Sequence, residues 1–422
     1  MKTMRIPIQV RLPLDIISDL PICLPVDFSQ IIDLDRRENQ ILDLFSLRLL
    51  QQEKDGNLIK IPVQFTPHQP GSESGRLDWL VNFSGDSQRM FLLLLNLYDS
   101  EASAKESMQG SILGNKIFDD SGHAEPLPYF PRMQAVPVPD SKLSIQRDGV
   151  EVFGYQYGTY SDHSARPFFF PVVGPSGRCL TRIGHPHDPV GHHHHYSVWL
   201  AYHFINDVNF WSDDKTSGKQ VHQRFSRLFD GPVLAGFEAV VDWQTPDSQP
   251  IMREIKQARV YPQPNDELLI DLQFSFSAIN EMIQLKKTSF GFLGVRVAKS
   301  MGVFDGSGLI QNSEGAVNEQ EIFHQPALWC DYSGPITDTV RNGIAIFDHP
   351  DNPHHPSHWH VRSDGWMLPC HFLHHHHQIC PDEMLQLNYR LLVHNGNVDD
   401  ADVQKRYDQY AQPPKIKVDP PD

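Results

Sequence analysis

The feature that most constrains this chain is alternation. Ile6, Ile8, Val10 and Leu12 are interleaved with Pro7, Gln9 and Arg11, and Ile270, Leu272, Phe274 and Phe276 with Asp271, Gln273, Ser275 and Ser277. Leu387, Tyr389, Leu391 and Val393 come close to the same pattern. A period of two places apolar side chains on one face of a strand and specifies half-buried antiparallel sheet. The 33 prolines and 27 glycines punctuate these runs, as turns between short strands require. The fold class expected is therefore all-β, built as antiparallel β-sandwiches. Helix is scarce. Residues 402–410 are the best short candidate, and residues 29–45 are ambiguous.

A chain of 422 residues exceeds one ordinary core, so two domains are expected. Residues 1–105 read as an accessory β-sandwich. Residues 106–142, rich in Ser, Gly, Asp and Pro, read as a linker or long loop, residues 143–398 as the catalytic domain, and residues 399–422 as a tail. The net charge of -16 disfavours nucleic acid, which needs a cationic surface. No stretch approaches the ~20 apolar residues of a membrane helix, so no membrane partner is expected. The first residues lead straight into a strand without the apolar core of a signal peptide. As written the chain reads as cytoplasmic, or periplasmic if a leader has been trimmed. Five scattered cysteines, none in a Cys-x-x-Cys pair, read as free thiols.

Histidine is distributed unevenly. Of 23, seven lie between His185 and His203 and ten between His349 and His377. Imidazole ligates metals and carries protons near neutrality, so two dense clusters in one domain point to a site. The first cluster runs His185-Pro186-His187-Asp188, then His192 to His195, Trp199 and His203. On a strand, His193 and His195 share one face and His192 and His194 the other. The second follows an apolar run that ends in Asp348-His349-Pro350 and continues to Trp359-His360-Val361-Arg362. A third group places Arg296 inside an apolar strand, with Glu314 or Asp331 as its expected carboxylate partner. No nucleotide-binding loop, His-Glu-x-x-His or Gly-x-Ser-x-Gly motif is present.

Taken in order, these groups resemble the PmoA-like family of bacterial proteins. The matching pieces are Arg166-Pro167-Phe168-Phe169-Phe170-Pro171, Gly174-Pro175-Ser176-Gly177, His194-His195 with Trp199, and Asn206 to Trp211. Further on come Phe292 to Ala298, Asn312-Ser313-Glu314-Gly315, Trp329 to Gly334, and Asp348-His349-Pro350 through Arg362. The resemblance covers roughly residues 145 to 395. It lapses after Gly365, where the chain reads Trp366-Met367-Leu368-Pro369-Cys370-His371 in place of an aromatic and Asn-Pro-Phe-Gly segment. The family label refers to a methane oxygenase. The Arg166 opening and the His and Glu placement look more like the galactose mutarotase-like supersandwich, a fold that hosts epimerases, glycoside hydrolases and polysaccharide lyases.

The resemblance implies an N-terminal accessory β-sandwich followed by a large antiparallel β-supersandwich, and an enzyme that breaks or rearranges a sugar C–O bond, by lyase, hydrolase or epimerase chemistry. His195, His349 and His360 with Glu314 are the expected acid and base. Trp199 and Trp359 would be stacking platforms, and Arg166, Arg296, Asp348 and Arg362 would hold the carbohydrate substrate. The one cofactor these residues would suit is a divalent metal ion, on His194 or His195 with His203 and a carboxylate such as Glu314. Such a site would lose activity below roughly pH 6, where unperturbed histidines protonate. The alternatives are a non-catalytic sugar-binding protein and a metal-dependent oxygenase. The sequence does not set an oligomeric state.

Overall fold

A computed structural model describes residues 2–12, 19–32, 40–81, 87–99, 117–118, 124–125, 132–158, 165–183 and 194–421. The chain divides into two compact units. One comprises Met1–Arg132, Gly231–Val233 and Gln412–Asp422; the other comprises Met133–Asp230 and Leu234–Ala411. Both are antiparallel β-structures, as the alternation requires.

The smaller unit holds a five-stranded sheet in the order Lys415–Val418, Lys2–Arg11, Gln88–Tyr98, Ile41–Gln52, Leu58–Ile61. A three-stranded sheet runs Leu20–Asp27, Ser74–Val81, Gln64–Pro67. Ile6, Ile8, Val10 and Leu12 supply the core face with Trp79, Phe91, Leu93 and Leu95. The last residues are not a free tail. Lys415–Val418 pairs antiparallel with Lys2–Arg11, and Ile416 and Val418 pack on the same core. Residues 29–45 resolve into a short helix, Phe28–Ile32, and the start of the Ile41–Gln52 strand, with residues 33–39 outside the described residues.

The larger unit stacks two eight-stranded sheets. The first runs Met133–Val138, Lys142–Arg147, Val150–Gln156, Phe168–Val172, Val198–Tyr202, Gly291–Arg296, Trp366–Cys370, His358–Arg362. The second runs Lys219–Phe229, Ala235–Gln244, Pro250–Pro262, Leu268–Ala278, Met384–Asn395, Arg341–Asp348, Trp329–Pro335, Leu309–Asn312. Between them lies one core, to which Leu200, Tyr202, Phe292 and Trp359 come from the first sheet and Ile270, Leu272, Phe274 and Phe276 from the second. The segment expected as a linker lies mostly outside the described residues, but its end, Met133–Val138, is the first strand of this unit. It is an edge strand, where Pro137 removes no needed ladder donor, so the proline that argued for a loop is accommodated. The helix expected at 402–410 is Val403–Ala411. All five cysteines are free.

Two ionic groups lie buried within or against these sheets. Glu254 and Lys256 are both fully buried, with Nζ 3.4 Å from Oε1 and Trp243 Nε1 donating to Oε2 at 2.8 Å. Lys256 Nζ stands 5.3 Å from the Tyr155 ring and 5.4 Å from that of Phe169. On the second sheet, His394 Nε2 meets Asp331 Oδ2 at 2.7 Å, both side chains being fully buried. Ser333 Oγ donates to Asp331 Oδ1 at 2.7 Å. Gly343 lies opposite both Ser333 and His394 on paired strands, and a Cβ there would clash with the imidazole.

A candidate active site on the outer face of one sheet

Strand alternation builds the site. In Val198–Tyr202, residues 198, 200 and 202 enter the core between the sheets, so Trp199 and Ala201 face the other way. In Trp366–Cys370, Met367 faces the core while Trp366, Leu368 and Cys370 join Trp199 on the outer face. In His358–Arg362, Trp359 and Val361 point inward, which leaves His360 on the outer face. Gly294 sits directly opposite Trp199 on the paired strand, and a Cβ there would clash with the indole. Gly294→Ala is therefore expected to destabilise the protein by about 1–3 kcal/mol through overpacking. Chemical denaturation together with tryptophan fluorescence checks this; an unchanged midpoint would mean the indole relaxes freely.

The result is an aromatic floor on which two histidines lie. The His195 ring stacks on Trp199 at 4.7 Å and 11°, and meets Trp211 at 5.1 Å and Trp366 at 4.8 Å. The His360 ring lies 4.5 Å from Trp366, 5.2 Å from Phe290 and 4.9 Å from Phe323. Both histidines are 1% exposed and lie against the same indole, that of Trp366. A carbonyl can only accept, so the 3.0 Å contact from His360 Nδ1 to Ser289 O places the proton on Nδ1. The same oxygen accepts from Cys370 Sγ at 3.2 Å. His360 Nε2 is then a lone pair, buried with no hydrogen-bond partner among the described residues. Burial pushes the His360 pKa down to about 4, with Arg362 and His324 adding to the shift. The group is a neutral base of fixed tautomer at neutral pH.

A carboxylate and a cation lie at the edge of this floor. Arg362 Nη1 donates to Glu319 Oε1 at 2.6 Å, and Ser363 N donates to Oε2 at 2.8 Å. Burial alone would raise the Glu319 pKa, but the hydrogen bonds from Ser363 and Arg362 outweigh it and hold the group ionised. The Arg362 guanidinium lies over the Phe323 ring at 4.8 Å. His324 follows, 5.8 Å from His360 between ring centres, its pKa lowered by burial and by neighbouring His358, Arg362 and His374.

The residues chosen from sequence divide sharply. His195, Trp199, His360 and Arg362 come together on this face. Arg296 joins from the neighbouring strand, its Nη1 donating to the His195 carbonyl at 3.4 Å. Arg166 supports the site from behind: its Nη2 donates to Asp213 Oδ1 at 2.6 Å and to Trp211 O at 2.8 Å, fixing the loop that carries Trp211. His194 packs edge-on against His195, 4.3 Å between ring centres, and 6.0 Å from Trp211. His203 packs instead on Phe204 and Phe290, and burial lowers its pKa.

Four expectations are corrected. Trp359 is not a platform: it lies in the core between the sheets and donates from Nε1 to Ala327 O at 2.9 Å. Glu314 is exposed in a turn, accepting from Ser313 Oγ at 2.9 Å, and is not a partner of Arg296. Asp331, the other partner considered, is taken by His394. Asp348 and His349 form a separate structural network. Asp348 accepts from Asn352 Nδ2, His355 Nδ1 and Ser357 N at 2.8, 2.9 and 3.0 Å, which pins the proline-rich loop. His349 packs edge-on against Tyr410 and accepts from Asp351 N. No group of three His, Cys, Asp or Glu side chains converges on a metal position among the described residues. His185, His187, Asp188, His192 and His193 lie outside the described residues.

Sequence reasoning missed Glu319, Phe323, His324, Phe290 and Asp213. Glu319 carried a weak signal, as a second carboxylate five residues past Glu314. The others carried none, because a strand or loop reaching the site from far along the chain shows no spacing in sequence.

These features define a class, an antiparallel β-sandwich protein with a histidine-bearing aromatic site on the outer face of one sheet. The chain belongs to a family of unknown function, DUF6807, whose model matches residues 142–408. That span contains both eight-stranded sheets apart from the edge strand Met133–Val138. No curated protein matches the chain.

Proposed function

We propose that the larger unit is a carbohydrate-active enzyme that breaks or rearranges a sugar C–O bond, with His360 as its base. The observation that carries this reading is His360 itself: a buried, neutral imidazole, tautomer fixed by Ser289, presenting an unpartnered Nε2 beside a tryptophan floor. Sugars offer apolar C–H faces that stack on indoles and hydroxyl or C–H protons that a positioned base removes. Glu319, paired with Arg362, takes the carboxylate role first sought in Glu314. The half-exposed Phe323 and His324 pack on His360, so substrate reaches Nε2 when that pair swings aside. The resemblance to PmoA-like proteins and to mutarotase-like supersandwiches favours the same chemistry.

A panel of glycosides, uronides and oligosaccharides, with and without divalent metal, tests the proposal. Once a substrate is found, His360→Ala is expected to lower kcat at least 100-fold, the scale of general base catalysis, while Glu314→Ala leaves it unchanged. Because His360 titrates at about 4, kcat/KM should hold from neutrality down to about pH 5 and fall below about pH 4. An acid limb near 6.5 would assign the base to an unperturbed histidine instead. Sugar binding without turnover across the panel would make the protein a binding module, and silence in both assays would end the carbohydrate reading.

A further inference from the structure

The smaller unit carries a second surface that the site above does not use. Strand register defines it. On the five-stranded sheet, Met4, Ile6, Ile8 and Val10 face the core, so Arg5, Pro7, Gln9 and Arg11 face outward. Pairing aligns them with their neighbours in rungs: Lys415, Arg11 and Gln88; Lys417, Gln9 and Met90; Pro7, Leu92, Leu50 and Lys60; Arg5, Leu94 and Arg48. The centre of the face is half-buried and apolar, formed by Pro7, Met90, Leu92, Leu94 and Leu50. Cations occupy its margins. Arg5, Arg11, Arg48 and Lys415 make no ion pair among the described residues, although the chain carries a net charge of -16.

Arg11 and Lys415 are directly opposed across two paired strands. Like charges in that position repel, and an anion lying between them reverses the sign. They line a cleft of about 370 Å³ with Leu12, Gln412 and Pro413, so its described lining holds two cations and no carboxylate. Gln9, Gln88 and Gln412 stand among the cations, and amides both donate to and accept from hydroxyl groups.

We propose that this face binds an anionic polysaccharide, a polymer with repeated carboxylates and hydroxyls, and seats one carboxylate between Arg11 and Lys415. Successive rungs across paired strands offer a row of contacts that suits an extended polymer. The mixture of cations and amides matches a chain that offers both anionic and hydroxyl groups along its length. This goes beyond the proposed chemistry of the larger unit and does not depend on it.

The test is titration of the full chain with polygalacturonate, with neutral dextran and with vesicles containing phosphatidylglycerol. Polygalacturonate is expected to bind with an affinity that falls steeply with salt, while dextran does not bind. Arg11→Glu with Lys415→Glu should weaken binding at least tenfold, and Arg5→Glu with Arg48→Glu should also weaken it. These variants leave His360 and its neighbours untouched, so turnover of a small substrate, if present, should not change. The proposal is overturned if polygalacturonate does not bind, if the charge reversals leave its affinity unchanged in a folded variant, or if vesicles bind and the polysaccharide does not. Failure of the His360 test leaves this result unaffected, and the converse holds.

Discussion

Glu254→Ala is expected to destabilise the larger unit by about 3–5 kcal/mol, the effect of leaving one member of a buried pair without its counter-charge. Burial already lowers the Lys256 pKa, and Glu254 is the charge that opposes the shift. Without Glu254 the ammonium keeps its contacts with the rings of Tyr155, Phe169 and Phe274. Cation–π attraction recovers a part of the loss, on the order of 2 kcal/mol when desolvated. The double replacement Glu254→Leu with Lys256→Met removes both charges and fills the space, so it should be nearly neutral or stabilising. Urea denaturation of the parent and the two variants measures both effects. A single variant within about 1 kcal/mol of the parent would mean that the pair is not a buried ion pair in solution.

The second large effect is expected at His394. Burial lowers its pKa, but Asp331 and the hydrogen bonds from the ring raise it more, so the net shift is upward. A raised histidine pKa stabilises the fold fully below the unfolded value of about 6.5 and loses that stabilisation as pH rises through the folded value. His394→Leu should leave the fully buried Asp331 carboxylate with Ser333 as its remaining side-chain donor, at a cost of about 3–5 kcal/mol near pH 6. At pH 9 the difference from the parent should shrink, because the parent has by then lost part of its own pair. A difference that grows with pH would contradict the assignment. His360 runs in the opposite sense: its depressed pKa removes stability as pH falls from about 6.5 toward about 4.

The sheets were legible in the sequence because alternation is a local property. Ile270 to Phe276 faces the core as its period demands, and Val403–Ala411 is a helix where a helix was expected. The site was legible only in part. Two tryptophans, Trp199 and Trp359, stand beside histidines in similar strands, yet one faces outward and the other inward. Which parity faces the second sheet is set by packing between sheets, and neither tryptophan carries that information. Glu314 and Glu319 differ in the same way. The turn that exposes the first and the short helix Asn318–Ile322 that presents the second to Arg362 are five residues apart, and both segments are polar. Arg166 was expected to hold substrate, but it is buried against Asp213, a partner the sequence did not indicate because the loop linking them is held by tertiary hydrogen bonds.

The pairing of Lys415–Val418 with Lys2–Arg11 has a consequence for how the chain is made. Synthesis runs from the N-terminus, so most of the smaller unit leaves the ribosome before the larger unit, but the edge strand of its five-stranded sheet leaves after it. Until then Arg11, Gln9 and Ile8 present an open strand edge, a template for mispairing between nascent chains. Closing it pairs segments that lie on either side of the larger unit in sequence, which makes it a slow step in assembly. A chain shortened before Lys415 should therefore yield a folded larger unit and a smaller unit prone to self-association, visible as concentration-dependent aggregation with intact protease resistance in residues 133–411.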